Sequence, residues 1–239
     1  MKAIFFRELK SYYDSMTGWI VCAFIIAITG IYFFVYNLYY GYPYFSYTLV
    51  GVSAILMFII PILTMRSFAE ERKTKTDQML LTAPISVGQI VCGKFLAMAC
   101  VFLLPLLVLC VCPLIIKANG NAYLVVDYCT IAVFFLYACC FISVGMFISS
   151  LTESQIIAAV GAYGACFLLL MWHTVAHLIP QTSVFSFLTD WMDSVTLSTP
   201  LSNFGDYYIF DVDGIVLYLS FIFIFIFLTI QTIKKRRWS

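Results

Sequence analysis

The chain has 239 residues, of which 63% are hydrophobic, 18% are aromatic and only 10% are charged. Soluble domains are about half apolar and about a quarter charged, so this chain has more apolar surface than one soluble core can bury. The composition argues against a soluble enzyme, a nucleic-acid-binding protein and a disordered chain. The formal net charge of +1 conceals an uneven distribution of charges.

The first segment, residues 1–16, has the pattern of an amphipathic helix. Phe5, Leu9, Tyr12 and Met16 recur on one helical face, and most charged residues lie off that face. We expect a helix that lies in the membrane interface before the chain enters the bilayer. A simple extension of the first membrane span is the alternative that the pattern leaves open.

Six apolar segments are long enough to cross a bilayer core of about 30 Å as helices. In chain order they are residues 17–40, 48–65, 90–116, 123–149, 155–178 and 214–233. The last segment alternates Phe and Ile, a pattern that a β-strand can also have. A lone strand would leave its backbone hydrogen-bonding groups unpaired in lipid, so we expect a helix. The predicted fold class is an all-α membrane protein with one transmembrane domain over residues 1–239.

The basic residues predict how this bundle is oriented. Six spans place both termini and the second and fourth loops on one side, and every lysine and arginine except Lys117 falls there. By the positive-inside rule, both termini are expected in the cytoplasm of a multi-pass protein of the plasma or inner membrane. Tyrosines crowd the opposite ends of the first two spans, as in an interfacial aromatic belt.

The loop between spans two and three predicts a short cytoplasmic helix. Glu70 and Glu71 precede Lys73 and Lys75 at spacings that stabilise helices through ion pairs. Apolar side chains follow at the end of this segment, at Met79, Leu80 and Leu81. A charged helix that ends in apolar residues is more typical of a docking surface, although a solvated connector remains the alternative.

Two capping patterns predict where the flanking helices begin. Pro84 ends the loop helix, and Ser86 with Gln89 forms a capping box for the helix that leads into span three. Thr152 with Gln155 predicts a second capping box, at the short turn between spans four and five. Those two spans are therefore expected to form a tight antiparallel hairpin.

The longest loop on the outer face, residues 179–213, is too apolar for a free loop and too short to span the membrane. We expect one or two short helices that lie on or dip into the outer leaflet.

Patterns that resemble catalytic or ligand sites lack essential parts. Residues 88–94 mimic a phosphate-binding loop, but Phe95 stands where such loops need serine or threonine. His173 and His177 share a helical face without the glutamate or the third ligand of a zinc protease. The nine cysteines fall mostly in apolar segments and without a C-x-x-C pair, which indicates buried thiols. We predict no catalytic residue, no metal ligand and no cofactor in this chain.

The source of energy for any transport is expected to lie outside the bilayer. The ionisable residues of the spans lie near span ends, whereas ion-coupled carriers place such groups near the midplane. No extramembrane segment approaches the roughly 200 residues that an ATPase domain needs. A separate ATPase would therefore act on the cytoplasmic loop.

The segment F-A-E-E-R-K-T-K-T-D-Q-M-L-L-T-A-P-I-S, followed by I-V-C-G-K-F-L-A, lies at residues 68–97. It resembles the permeases of type-2 ABC exporters, and among them the gliding-motility and copper-processing permeases. The R-E-L-K-S-Y segment near the N-terminus and T-E-S-Q before span five are similar too, so the resemblance extends over the whole chain. The sequence departs from the family at Lys75, where glycine is common, and near Met16, where proline is common.

The resemblance implies an assembly and a set of contact residues. Residues 1–16 would be the elbow helix, and residues 70–84 would be a coupling helix in a groove of the ATPase subunit. The ATPase contacts would be Glu70, Glu71, Arg72, Thr76, Met79, Leu80, Leu81 and Pro84, with a second contact at Thr152 and Glu153. Two permease chains, identical or different, would join two cytoplasmic ATPase subunits, which would bind ATP and magnesium.

Two other functions stay open at the level of sequence: an intramembrane enzyme, and a membrane anchor or assembly protein without transport. An enzyme would place polar catalytic groups at a shared depth, and the candidates do not converge. The substrate cannot be chosen from the sequence, although the expected pathway suits lipid-like, peptide or other amphiphilic cargo.

Overall fold

A computed structural model of the chain describes residues 2–76, 86–120, 122–178, 196–205 and 211–237. The regular structure of these residues is helical, and they contain no strand. The helices are α1 (Lys2–Asp14), α2 (Thr17–Phe33), α3 (Ser46–Ser53), α4 (Leu56–Thr64), α5 (Ala69–Lys73), α6 (Val87–Leu109), α7 (Cys112–Asn119), α8 (Leu124–Leu151), α9 (Gln155–Leu178), α10 (Ser198–Gly205) and α11 (Val212–Arg237). A π-helical segment, Phe34–Tyr39, continues α2.

Five of the six predicted spans are helices that are long and apolar enough to cross a membrane. They correspond to α2 with its π-helical end, α6 with α7, α8, α9 and α11. The second span differs from the expectation of one helix, because α3 and α4 meet at a bend of 62°. At this bend the amides of Ile55 and Phe58 bond to carbonyls only three residues back, at 2.9 and 3.0 Å, which tightens the turn.

The beginning of the second span is stabilised by a carboxylate from another helix. Asp127, near the start of α8, is fully buried, and its Oδ1 accepts the backbone N–H groups of Phe45 at 2.9 Å and Ser46 at 3.2 Å. The first amides of a helix lack partners within the helix, and an acidic group there satisfies them and favours the helix dipole. Asp127 therefore fixes the position at which α3 begins.

Helix α8 forms the centre of the bundle. Within an apolar stretch of 18 residues in each helix, 72% is buried in α8, against 17% in both α9 and α11. It packs against α4, α6, α9, α10 and α11, and its buried aromatic side chains include Phe134, Tyr137 and Phe141. The peripheral helices α9 and α11 therefore expose most of their apolar surface.

Helix α1 is a separate element rather than an extension of the first span. Met16, between α1 and α2, has a left-handed φ of 59°, and α1 turns back to pack on α6. Ile4 and Tyr12 are buried, whereas Met16, which was expected on the same face, is 70% exposed. Met16 leaves that face because the chain reverses direction there.

The two capping predictions have different outcomes. The Ser86 hydroxyl accepts the amide of Gln89 at 3.4 Å and caps α6 as expected. The box at Thr152 is wrong: its Oγ1 is buried without a hydrogen-bond partner. The helix begins at Gln155, after Ser154, so Thr152 lies too far outside it to cap. The tight hairpin between α8 and α9 is present nevertheless.

The outer loop is described only in part. Helix α10 lies within predicted loop 179–213 and packs on α3, α8 and α11, which agrees with a short helix there. Residues 179–195 and 206–210 lie outside the described residues, as do the side chains of His173 and His177.

Candidate functional site

The predicted contact residues gather at the end of the bundle that carries α1 and α5. Glu70, Glu71 and Arg72 lie in α5, and Thr76 lies in the turn that follows it. Met79, Leu80, Leu81 and Pro84 fall outside the described residues. Helix α5 contacts both α8 and α9, the two helices that flank the turn with Thr152 and Glu153. The described parts of both predicted contacts therefore share one end of the protein.

A group of four charged side chains, which we call the Lys94 cluster, connects this end of the bundle; it is centred on the buried Lys94, and its Arg7 is exposed. It consists of Arg7 and Glu8 from α1, Glu71 from α5 and Lys94 from α6. The Lys94 Nζ lies 2.9 Å from Glu71 Oε1 and 3.2 Å from Glu8 Oε1. The Arg7 Nη2 lies 2.7 Å from Glu8 Oε1 and 3.0 Å from Glu71 Oε1. Two cations and two anions thus alternate across three helices.

Lys94 occupies an environment that a charge tolerates only when it is fully paired. The residue is 2% exposed, and its ammonium group has three donors. Besides the two carboxylates, it donates to the carbonyl oxygen of Ser67 at 2.8 Å, and it lies 5.1 Å from the ring centroid of Phe68. The three acceptors and the aromatic ring together offset the desolvation of the ammonium group.

Arg7 keeps its charge at the margin of this cluster. Burial lowers the pKa of Arg7, but the hydrogen bonds and charges of Glu8 and Glu71 outweigh burial and raise it above its ordinary value. The guanidinium group therefore stays protonated, and the charge balance of the cluster depends on the two carboxylates.

The junction between α4 and α5 is fixed by a second ion pair. Arg66 Nε lies 2.6 Å from Glu70 Oε2, and its Nη2 donates to Glu70 Oε1 at 3.1 Å. Such two-point contacts between a guanidinium and a carboxylate restrict orientation as well as distance. Helices α4 and α5 are therefore expected to move as one body.

The start of α5 is capped by a side chain from α8. Ser149 Oγ accepts the amides of Phe68 at 3.1 Å and Ala69 at 3.3 Å and donates to the carbonyl of Met65 at 3.3 Å. The residue at the N-cap position, Phe68, offers no side-chain cap of its own. The Ser149 hydroxyl therefore ties the central helix to the beginning of α5.

Close packing adds a contact between α4 and α8. A Cβ atom at Gly145 of α8 would lie 2.9 Å from the Cβ of Thr64 at the end of α4, so only glycine fits there. On the other side of α4, the Tyr12 hydroxyl of α1 donates to the carbonyl of Leu63 at 3.3 Å. Helices α1, α4, α5, α6 and α8 thus meet in one interlocked block.

The expected ion pairs within the loop helix are not formed. Glu70 pairs with Arg66 and Glu71 with Arg7 and Lys94, so the predicted pairing with Lys73 and Lys75 is wrong. The helix ends at Lys73 because the chain turns at Lys75, which has a left-handed φ of 57°. Glycine suits such a position better than lysine does.

Arg72 has an unusual environment on α5. Both of its terminal guanidinium nitrogens are buried and have no hydrogen-bond partner in the described structure. A buried charge without a partner is unfavourable, so this position gains from any added acceptor. By contrast, Thr76 and Glu153 are exposed and accessible to a partner.

Sequence reasoning missed the most buried part of this site. Lys94 was interpreted only as a residue near a span end, and Glu8 was not assigned a role. One signal was available: Ile4, Glu8 and Tyr12 recur every four residues, so Glu8 lies on the buried face of α1. An acid in that position requires a cation from a neighbouring element.

The arrangement can transmit a displacement without any bond chemistry. A shift of α5 would reach α6 through Glu71 and Lys94, α1 through Glu71 and Arg7, and α8 through Ser149. The four residues of the cluster also line a cavity of about 380 Å³.

Comparison with known proteins places this helical bundle in a family. A profile of the family described as ABC-2 family transporter protein matches residues 3–208, which include α1, the block around α5 and most of the spans. A comparison with curated proteins finds no match. The match covers most of the chain and agrees with the apolar, membrane-spanning helices. The chain therefore belongs to the ABC-2 family of transporter proteins and is an integral membrane permease component of an ABC transporter.

Proposed function

We propose that this permease works in an ATP-driven exporter and is moved by a separate ATPase that binds residues 70–84. The transporter would contain two permease chains, identical or different, and two ATPase subunits that bind ATP and magnesium. Substrate would pass between the permeases. Within the family, the sequence of residues 68–97 favours the gliding-motility and copper-processing subgroup.

The orientation that this function needs has the α1 and α5 end in the cytoplasm. The distribution of lysine and arginine supports it, since all of them but Lys117 fall on that side of a six-span chain. We therefore propose a multi-pass protein of the plasma or inner membrane with both termini in the cytoplasm.

The observation that carries the proposal is the Lys94 cluster. A loop that only connected two spans would not need to bind the helices around it. Here Glu71 of α5 pairs with the buried Lys94 of α6, which also pairs with Glu8 of α1. In the proposed mechanism, ATP draws the ATPase subunits together and α5 follows them. Because α5 is tied to α4, α6 and α1, those helices tilt with it and the pathway changes its open side.

The contact surface is proposed to combine polar and apolar groups. Glu70 is partly exposed and Thr76 is exposed, while Glu71 faces inward to the Lys94 cluster. An acceptor on the ATPase would relieve the unpaired guanidinium group of Arg72. Leu80 and Leu81 remain the proposed apolar anchor.

The second contact would be the α8–α9 turn, where Glu153 is exposed and Thr152 is partly exposed, with its hydroxyl oxygen buried. Because α8 and α9 both contact α5, the turn and α5 are proposed to form a single continuous surface for the ATPase.

The test is association with the ATPase. Leu80→Asp combined with Leu81→Asp should abolish co-purification of the ATPase, because two carboxylates cannot enter an apolar groove without a large desolvation cost. Membrane insertion should be unchanged. Lys234→Asp with Lys235→Asp is the control, since it adds two acids at exposed positions and also removes two cations, so retained association despite this larger change of charge would show that added negative charge alone does not displace the ATPase. Undiminished association of the leucine variant would contradict the proposed anchor.

Two rival functions predict other results. An intramembrane enzyme would turn over a substrate without any ATPase, and an assembly protein would bind partners without stimulating ATP hydrolysis. Stimulation of ATPase turnover by the full chain in liposomes distinguishes the permease from both.

A further inference from the structure

A second cavity, on the outside of the bundle, is not explained by the coupling of an ATPase. It has a volume of about 650 Å³, lies between α1, α6 and α8, and has almost entirely apolar walls. None of its described lining residues belongs to the Lys94 cluster. The cavity therefore needs an explanation that is independent of the proposed coupling.

The floor of this groove is a stripe along α6. Leu96, Ala99, Cys100 and Leu103 line it, at helical spacings of three and four residues. The small side chains of Ala99 and Cys100 lie between the two leucines and give the groove its depth. Leu96 and Leu103 are separated by seven residues, so the stripe is about 10 Å long.

The groove is bounded by two aromatic residues and one cation. Phe5 of α1 and Phe135 of α8 form its sides, and Lys2 lies at the N-terminal end of α1. Lys2 is exposed, so its aliphatic stem lines the apolar wall while its ammonium group extends outward, as long basic side chains do at membrane interfaces. No described residue that lines the groove is acidic.

These features together identify the occupant. We propose that the groove binds one anionic phospholipid from the membrane leaflet on the side of α1. Its headgroup phosphate pairs with Lys2, and one acyl chain lies along the stripe from Leu96 to Leu103. One leaflet contributes about 15 Å of hydrocarbon, so a groove of about 10 Å accommodates the upper part of an acyl chain.

The selectivity of this site must come from charge. An acyl chain gains little when it leaves other lipid tails for an apolar groove, because both environments are equally apolar. A lysine near the membrane surface favours an anionic lipid by about 1 kcal/mol, which corresponds to roughly fivefold. The groove therefore accommodates an acyl chain without distinguishing between headgroups, and Lys2 determines the preference for an anionic headgroup.

The experiment is native mass spectrometry of the full chain in detergent, with phosphatidylglycerol and phosphatidylcholine of identical acyl chains at equal concentration. The wild-type chain should retain one phosphatidylglycerol, with about a fivefold preference over phosphatidylcholine. Lys2→Gln should reduce this preference to near unity. Lys10→Gln is the matched control, because Lys10 is an exposed lysine of α1 that does not line the groove.

A second pair of variants tests the groove itself. Leu103→Trp should fill the groove and lower retention of both lipids at least fivefold. Leu107→Trp should leave retention unchanged, because Leu107 lies one turn further along α6, is 62% exposed and does not line the groove.

Three results would overturn the proposal. They are equal lipid retention by the two tryptophan variants, an unchanged headgroup preference in Lys2→Gln, and a loss of self-association rather than of lipid in Leu103→Trp. The last would assign the groove to a second copy of the chain. None of these measurements involves the ATPase, so their failure leaves the proposed function untouched.

Discussion

Replacing Lys94 by methionine perturbs the site at its most buried charge. Methionine retains the length of the side chain but removes the ammonium group, so Glu8 and Glu71 then share only Arg7. The remaining cluster has one cation for two carboxylates, and the carbonyl oxygen of Ser67 loses its donor. The loss is therefore electrostatic rather than a loss of packing.

The magnitude follows from the burial of the groups that remain. Removing one partner of a buried ion pair costs about 3–5 kcal/mol. The side chains of Glu8 and Glu71 are 12% and 17% exposed, and Arg7 still contacts both, so the lower end applies, about 3 kcal/mol. In a chain of this size that corresponds to a fall of about 6–12 °C in Tm.

The chain supplies its own probe for the assay. Its cysteines are free, and Cys22, Cys139, Cys140 and Cys166 are buried, so a thiol-reactive fluorophore reports unfolding in detergent. Lys94→Met should lower the Tm as stated. Adding Glu71→Gln to it should recover part of the loss, because the second substitution removes the unpaired carboxylate. An unchanged Tm in Lys94→Met, or strictly additive effects in the double variant, would refute the reasoning.

Three further predictions concern the same end of the bundle and the beginning of the second span. Gly145→Ala should cost about 1–3 kcal/mol by overpacking against Thr64, and Thr64→Ala in the same chain should recover part of this loss, because it removes Oγ1 and Cγ2 but keeps Cβ, as measured by the shift in Tm. Lys75→Gly should stabilise the chain by about 1 kcal/mol because of the left-handed φ, whereas Lys73→Gly, within α5, should destabilise it; equal Tm shifts would contradict this. Asp127→Ala should lower stability by about 2 kcal/mol or more, since it leaves two buried amides unpaired, and Asp127→Asn should retain much of the cap; thermal unfolding of both variants distinguishes capping from a need for charge.

Local patterns predicted the elements of this fold well. Apolar length identified five spans as single helices and located the second, which is a bent pair of helices. The 3.6-residue period identified α1, and the Ser86 capping box identified the start of α6. These signals are local because they depend on neighbours within one or two helical turns.

The features that fix the tertiary arrangement could not be predicted in this way. Ser149 caps α5 across 81 positions of sequence, and Asp127 caps α3 across a similar distance. The bend in the second span begins after Ser53. The nearest proline, Pro61, does not mark the bend, because it lies inside α4. These contacts depend on which helices pack together, and no local pattern encodes that.

The turn at Lys75 has a conformation that suits glycine. The backbone there is left-handed, so a glycine would fit the turn better than the lysine of this chain. The difference therefore alters the strain of the turn after α5 and leaves the Lys94 cluster intact.

The central claim is that an ATPase moves the spans through α5 and the Lys94 cluster. The most direct measurement is ATP hydrolysis by the ATPase in liposomes with the wild-type chain and with the Lys94→Met/Glu8→Gln variant, which changes no residue of the proposed contact, together with co-purification of each. The variant should bind the ATPase as the wild type does and lose most of the stimulation of ATP turnover. Full stimulation by a folded variant would contradict the claim.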